Sequence, residues 1–168
     1  MKNIALVGFM GTGKTAVAKR LARKLKMRYI STDDLIEARE KRLIKDIFAK
    51  AGEPYFRKVE KEVVKEAASA DNSIIAAGGG VVLDNENMEN LKQGCTVICL
   101  NATAEDILKR TESYAHRPIL NVPDPLAKIK ELLEKRAPYY KKADYQVDTS
   151  NKNLNAVVEE IERIVAKT

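Results

Sequence analysis

The sequence has 168 residues, 45% of them hydrophobic, which suits one domain with a single sizeable core and leaves too little chain for a second. Thirty Lys and Arg against 24 Asp and Glu give a formal charge of +6, which points to nucleic acid or to small anions such as nucleotides. There is no Trp and no aromatic-studded basic run, and the apolar stretch 4–7 is far too short for a signal or membrane segment; a soluble cytoplasmic monomer is expected, with no nucleic-acid or membrane partner.

Taken in chain order, apolar runs with β character fall at 4–7, 28–31, 73–77, 95–100 and 145–147. Helical periodicity separates them, over 14–26, 33–42, 53–69, 84–92, 103–110, 125–141 and 154–166. That alternation predicts a parallel sheet with helices on both faces. The basic stretch 18–26 alternates charge with apolar residues and reads as the solvated face of the first helix. Gly94 is placed to end the fourth of these helices, and Thr103-Ala104-Glu105-Asp106 resembles a capping box opening the fifth. Residues 111–124 have weak periodicity and carry Pro118, Pro123 and Arg117, so they read as a long mobile loop. Cys95 and Cys99 match neither a redox pair nor a zinc knuckle and are expected to be buried thiols.

The motif that carries chemistry is Gly8-Phe9-Met10-Gly11-Thr12-Gly13-Lys14-Thr15, set between the first strand and the first helix. Its glycines let successive amides turn inward at a phosphate, with the positive end of the helix behind them. Lys14 supplies a point charge for the β- and γ-phosphates, and Thr15 offers a hydroxyl to a bridging magnesium ion. The motif does not name the reaction. Asn151-Lys152-Asn153 lacks the Asp that a guanine-reading N-K-x-D segment needs, and the chain is too short for a large mechanical ATPase.

Acceptor-site candidates lie further along. Asp33 emerges after the second strand, where ligands of open parallel sheets sit, and can accept hydrogen bonds from substrate hydroxyls. Its neighbour Asp34 reads as a helix-start residue, and Ser31 or Thr32 as a cap. Arg57 and Glu60 share a helix face; the spacing fits both an ordinary surface ion pair and a guanidinium oriented for a substrate carboxylate. Gly78-Gly79-Gly80 at a strand end points to close ligand approach. Arg117, in the proline-bearing loop, and Arg136, before Ala137-Pro138-Tyr139, stand apart from amphipathic patterns. His116 reads as a solvent-facing loop residue.

Together the glycine loop, Asp33 before Leu35-Ile36-Glu37, Phe56-Arg57 with Glu60, Gly78-Gly79-Gly80, Arg117-Pro118-Ile119-Leu120 and Arg136-Ala137-Pro138-Tyr139-Tyr140 resemble the shikimate kinase family over nearly the whole chain. The resemblance implies a three-layer α/β/α P-loop kinase fold, its five parallel strands in order 2-3-1-4-5. It further implies one domain over 1–168, with a shikimate-binding region about 33–60 and a mobile lid about 111–124. The implied reaction is ATP-dependent, magnesium-assisted phosphorylation of the 3-hydroxyl of shikimate. Lys14, Asp33 and Arg117 would be catalytic. ATP would meet Gly11, Thr12, Gly13, Lys14, Thr15, Ala16, Arg110, Arg117 and Asn153, with the stretch 147–153 beside the adenine. Shikimate would meet Asp33, Arg57, Glu60, Gly78, Gly79, Gly80 and Arg136, and Thr15 would bind the metal. Members commonly carry a further Asp two residues before the substrate-binding one; Ser31 stands there, which puts the metal shell and the rate in question. The residues taken alone also allow a kinase of another hydroxylated acid or nucleotide, or a weakened nucleotide-binding regulator.

Overall fold

The structure, a computed structural model, describes residues 2–112 and 121–168. Five strands, β1 (Asn3–Val7), β2 (Arg28–Ser31), β3 (Ser73–Ala76), β4 (Cys95–Asn101) and β5 (Tyr145–Asp148), form one sheet of order β2-β3-β1-β4-β5. Every adjacent pair is parallel, with Ala5 opposite Ile75 on one side of β1 and Val97 on the other. The expected architecture and strand order are therefore those observed. Parallel neighbours need crossovers, and the intervening segments supply them as helices: α1 (Lys14–Leu25), α2 (Thr32–Glu40), α3 (Ile44–Ala51), α4 (Glu53–Ala68), α5 (Asn85–Gly94), α6 (Ala104–Thr111), α7 (Pro125–Tyr140) and α8 (Leu154–Val165).

Alternation along the central strands divides the core in two. Ala5 and Val7 of β1, with Val97 and Cys99 of β4, pack toward α4, α5 and α7. Ile4 and Leu6, with Ile98 and Leu100, pack toward α1 and α8. Both faces are covered, which is why these strands read as unbroken apolar runs. Burial pushes the thiols of Cys95 and Cys99 up to about 12, so they are packing groups. Among the described residues, no helix is long and apolar enough to cross a membrane.

Three local readings change. Helix α3 lies between two expected helices and was not anticipated. It is one eight-residue piece whose N-cap, Leu43, offers no side-chain acceptor, so its start carries no signal. What holds it is Ile47, buried with Ile36, Phe56, Val59 and Val63 in a satellite cluster. Thr103 caps α6 by accepting the Asp106 amide at 3.2 Å, while its own amide donates to Ser150 Oγ at 2.9 Å, outside the helix. Gly94 is the last residue of α5, and a Cβ there would strike the Ala68 carbonyl at the end of α4. Close helix approach, more than a left-handed turn, accounts for that glycine.

Candidate active site

The chain leaves β1 at Val7 and re-enters helix at Lys14. Gly13 caps α1 at φ 97°, a left-handed conformation that side chains disfavour. The loop braces itself: the buried Thr12 hydroxyl donates to the Phe9 carbonyl at 2.8 Å, and Lys14 Nζ reaches across to the Gly8 and Phe9 carbonyls at 2.7 and 2.8 Å. Thr15 and Ala16 stand exposed in the first turn. The result is an internally braced loop leading into the first amides of α1, which a helix start leaves unpaired and which suit an anion.

Next to this loop, along the sheet, lies a cavity of about 680 Å³ whose wall includes Asp33, Arg57, Glu60, Gly78, Gly79, Gly80 and Arg136. The structure thus brings together the expected acceptor-side residues from α2, α4, the β3 end and α7. Each member has a physical reason for its place. Ser31 caps α2 through the Asp34 amide, and the buried Thr32 hydroxyl accepts the Gly78 amide at 3.0 Å, tying the end of β2 to the glycine run. Gly78 is bare because a Cβ would sit 2.7 Å from Asp33 Oδ1 and 3.4 Å from Glu60 Oε2. A Cβ on Gly80 would overlap the Arg57 guanidinium, 2.7 Å from Nη2. The glycines make room for these polar groups.

The Arg57–Glu60 pair is not an ordinary surface pair. Arg57 Nη1 donates to Glu60 Oε1 at 2.9 Å, and the Glu60 side chain is only 2% exposed. Burial raises the Glu60 carboxyl above its usual range, opposed by the charge and hydrogen bond of Arg57, with a smaller upward push from Asp33 and Asp84. Glu53 flanks the same guanidinium at 3.4 Å, and Phe56 lies beneath it, ring centroid 5.2 Å from Cζ. Arg136 is seated in a similar way on Phe9, at 5.4 Å. Its neighbour Tyr140, its phenol raised by burial, donates to the Gly79 carbonyl at 3.2 Å. Phe9 and Tyr140 were not singled out in the sequence; their signal was only adjacency to Gly8 and to Arg136.

The other side of the loop is built from α6 and the end of β5. Arg110 donates to the Gly11 carbonyl at 3.3 Å, and to the hydroxyl and carbonyl of Thr149 at 3.0 and 2.9 Å. Thr149, buried at 3% exposure, lies with its hydroxyl 3.0 Å from both the Thr12 and Asn101 carbonyls. It is the node that fastens this edge to the glycine loop, and sequence reasoning named only its surrounding stretch. Asn153 uses its side chain to cap α8 through the Ala156 amide at 2.9 Å. Arg117, with His116 and most of the expected lid, lies outside the described residues.

For a magnesium ion, the local donor chemistry fits. Thr15 is exposed in the first turn of α1, and Asp33 lines the cavity that adjoins the loop. Among the described residues no three His, Cys, Asp or Glu side chains gather as a cage. Magnesium asks for none: it is typically held by one or two protein oxygens together with phosphates and water.

The family model described as shikimate kinase matches residues 10–166. The shikimate kinase of Caldanaerobacter subterraneus subsp. tengcongensis is 46% identical over 99% of this chain and 98% of its own. That of Thermodesulfovibrio yellowstonii is 45% identical, over 96% and 93% respectively. The solved shikimate kinase from Acinetobacter baumannii in complex with shikimate superposes with a TM-score of 0.95 at 35% identity, covering 99% of this chain and 94% of that one. By fold and by sequence, the chain belongs to the shikimate kinase family.

Proposed function

We propose that the cavity beside the glycine loop receives shikimate and that the loop presents the γ-phosphoryl group of ATP to its 3-hydroxyl, yielding shikimate 3-phosphate and ADP. The observation that carries this reading is the convergence of two aromatic-seated guanidiniums, Arg57 and Arg136, with Asp33 on one cavity that the glycine loop lines through Met10. Two cations suit one carboxylate, and an acidic side chain suits ring hydroxyls.

In this reading Arg57 and Arg136 bind the shikimate carboxylate and so fix the ring. Glu60 holds Arg57 in place. Gly79 and Gly80 let the ring approach the backbone, with Gly78 leaving space for Asp33. Asp33 accepts the proton of the attacking hydroxyl and orients its lone pair toward the phosphorus. Gly11, Thr12, Gly13 and Ala16 surround the phosphates, Lys14 neutralises charge on them, and Arg110 and Asn153 border the nucleoside. Arg117 is assigned to the phosphates from a lid over 111–124. Thr15 would hold a magnesium ion, which would supply neutralisation of phosphate charge. The chain acts as one domain, a cytoplasmic monomer with small-molecule partners.

The deciding experiment is ADP release from MgATP with and without shikimate. Shikimate-dependent release, lost in Asp33→Asn and Arg57→Ala, is expected. Nucleotide binding with no response to shikimate would leave only the nucleotide half of this reading standing.

A further inference from the structure

Arg57 stands between two acids of its own helix. Glu53, Arg57 and Glu60 follow one another on α4 at spacings of four and three, and so share one face. The two acids hold it differently. Glu60, its side chain 2% exposed, accepts from Nη1 at 2.9 Å. Glu53, its side chain 63% exposed, offers one oxygen, Oε1, to both Nε and Nη2 at 3.4 Å, longer than the usual N–H···O bond. Among the described residues the cavity wall carries four carboxylates, Asp33, Glu37, Glu53 and Glu60, and Glu53 is the exposed one. Glu60 is thus fixed by burial, whereas Glu53 loses little when it turns into water.

A guanidinium takes a planar carboxylate through two N–H groups on one edge. The Nη1–Nη2 end of Arg57 stands against Gly80, where an added Cβ would lie 2.7 Å from Nη2 and nearer still to Nη1, and Phe56 lies beneath the plane. The edge left is Nε–Nη2, and Glu53 is on it. We propose that Glu53 is a placeholder for the acceptor's carboxylate: it neutralises the Nε–Nη2 edge while the cavity is empty and is displaced into solvent by the incoming anion, which takes the same two donors. Glu53 thereby sets selectivity. An acceptor that carries a carboxylate replaces the contact it breaks, while a neutral polyol of the same shape leaves Glu53 on Arg57. Glu60 keeps the guanidinium in place throughout the exchange. This inference rests on the reading of Arg57 as a ligand of the shikimate carboxylate, and it adds a competing group to that contact.

The test is calorimetric titration with shikimate of wild type, Glu53→Gln, Glu53→Asp and Arg57→Ala, with steady-state kinetics alongside. Removing the competing contact in Glu53→Gln tightens shikimate binding roughly two- to fivefold, the size expected of an exposed ion pair. Glu53→Asp keeps the charge at the helix start but is shorter by about 1.5 Å, one carbon–carbon bond, too short to reach the edge, and it tightens binding to the same degree. The gain appears in the KM for shikimate and not in kcat or the KM for MgATP. Weaker or unchanged binding in Glu53→Gln makes Glu53 a brace for Arg57 and overturns the proposal. Tighter binding in Glu53→Gln with wild-type binding in Glu53→Asp overturns it too, since charge acting at a distance then explains the effect. In both cases a loss of affinity in Arg57→Ala leaves the Arg57 reading standing. Wild-type affinity in Arg57→Ala overturns that reading and this one together.

Discussion

Gly80→Ala is a one-carbon perturbation whose consequence can be worked from distances. Gly80 has φ −95°, which alanine adopts freely, so backbone strain contributes little. The added Cβ would lie 2.7 Å from Arg57 Nη2 and 2.8 Å from Cζ, whereas ordinary contact begins at 3.4 Å. Nη1, the atom bonded to Glu60, lies nearer still, so the guanidinium must retreat by at least 0.7 Å, the shortfall at Nη2. Its bond to Glu60, now 2.9 Å, would stretch to about 3.6 Å or more if the carboxylate stays, beyond useful hydrogen-bonding range. Glu60 has little freedom to follow, because it is buried on α4. Loss of a hydrogen bond to a charged group costs about 1.5–3 kcal/mol, equivalent to roughly ten- to hundredfold in affinity. The KM for shikimate in a coupled ADP-release assay should rise by that factor and the melting temperature should fall by several degrees, with the KM for MgATP nearly unchanged. A wild-type shikimate KM in Gly80→Ala would refute the idea that the glycine run exists to clear Arg57.

Three further outcomes are expected. Asp33→Asn should lower kcat by about 10²–10⁴, the usual contribution of a general base, with ATP affinity by calorimetry unaltered. Thr149→Val removes a buried hydroxyl that accepts from Arg110 and lies 3.0 Å from the Thr12 carbonyl; stability in urea should fall by about 1–3 kcal/mol, and the KM for ATP should rise without a change for shikimate. Glu60 makes stability depend on pH. Because burial raises its folded carboxyl above 4.5, the folded state holds a proton that the unfolded chain has released. Its contribution is fully present below 4.5 and is lost as pH rises through the raised folded value. Denaturant midpoints of wild type and Glu60→Gln should therefore diverge over that window, and parallel curves would show that Glu60 does not titrate as described.

What was legible in the sequence follows the physics of each element. The central strands β1, β3 and β4 are covered on both faces and leave continuous apolar runs; the edge strands β2 and β5, more exposed, were found from alternation and spacing, and all five fall within a residue or two of expectation. Helices α1 and α4 carry long amphipathic patterns and were equally plain. Helix α3 was hidden because its existence depends on tertiary burial of Ile47 and not on a cap. The same distinction holds in the site. Gly8 to Thr15 is a local backbone device and can be read from spacing. The Arg57–Glu60 pair could not be resolved from spacing, because i,i+3 geometry is identical for a solvated pair and for one whose acid is 1% exposed. Thr149 was missed as an individual because its partners, Gly11, Thr12 and Arg110, are distant in sequence or attached through backbone carbonyls that leave no residue-type signature.

Strand order also sets the direction of the proposed chemistry. The acceptor groups Asp33 and Gly78 to Gly80 follow β2 and β3, the phosphate loop follows β1, and Arg110 and Thr149 follow β4 and β5. In the sheet those ends lie in the sequence β2-β3-β1-β4-β5, so the groups proposed for acceptor, phosphates and nucleoside occupy successive positions along one edge. An in-line displacement needs that linear arrangement. The crossover that places β3 next to β1, with Ala77 donating its amide to the Leu6 carbonyl at 3.0 Å, is the join between the two halves. Changes there, though remote from either ligand's distal end, should alter the distance between hydroxyl and phosphorus and so lower kcat while sparing both binding constants.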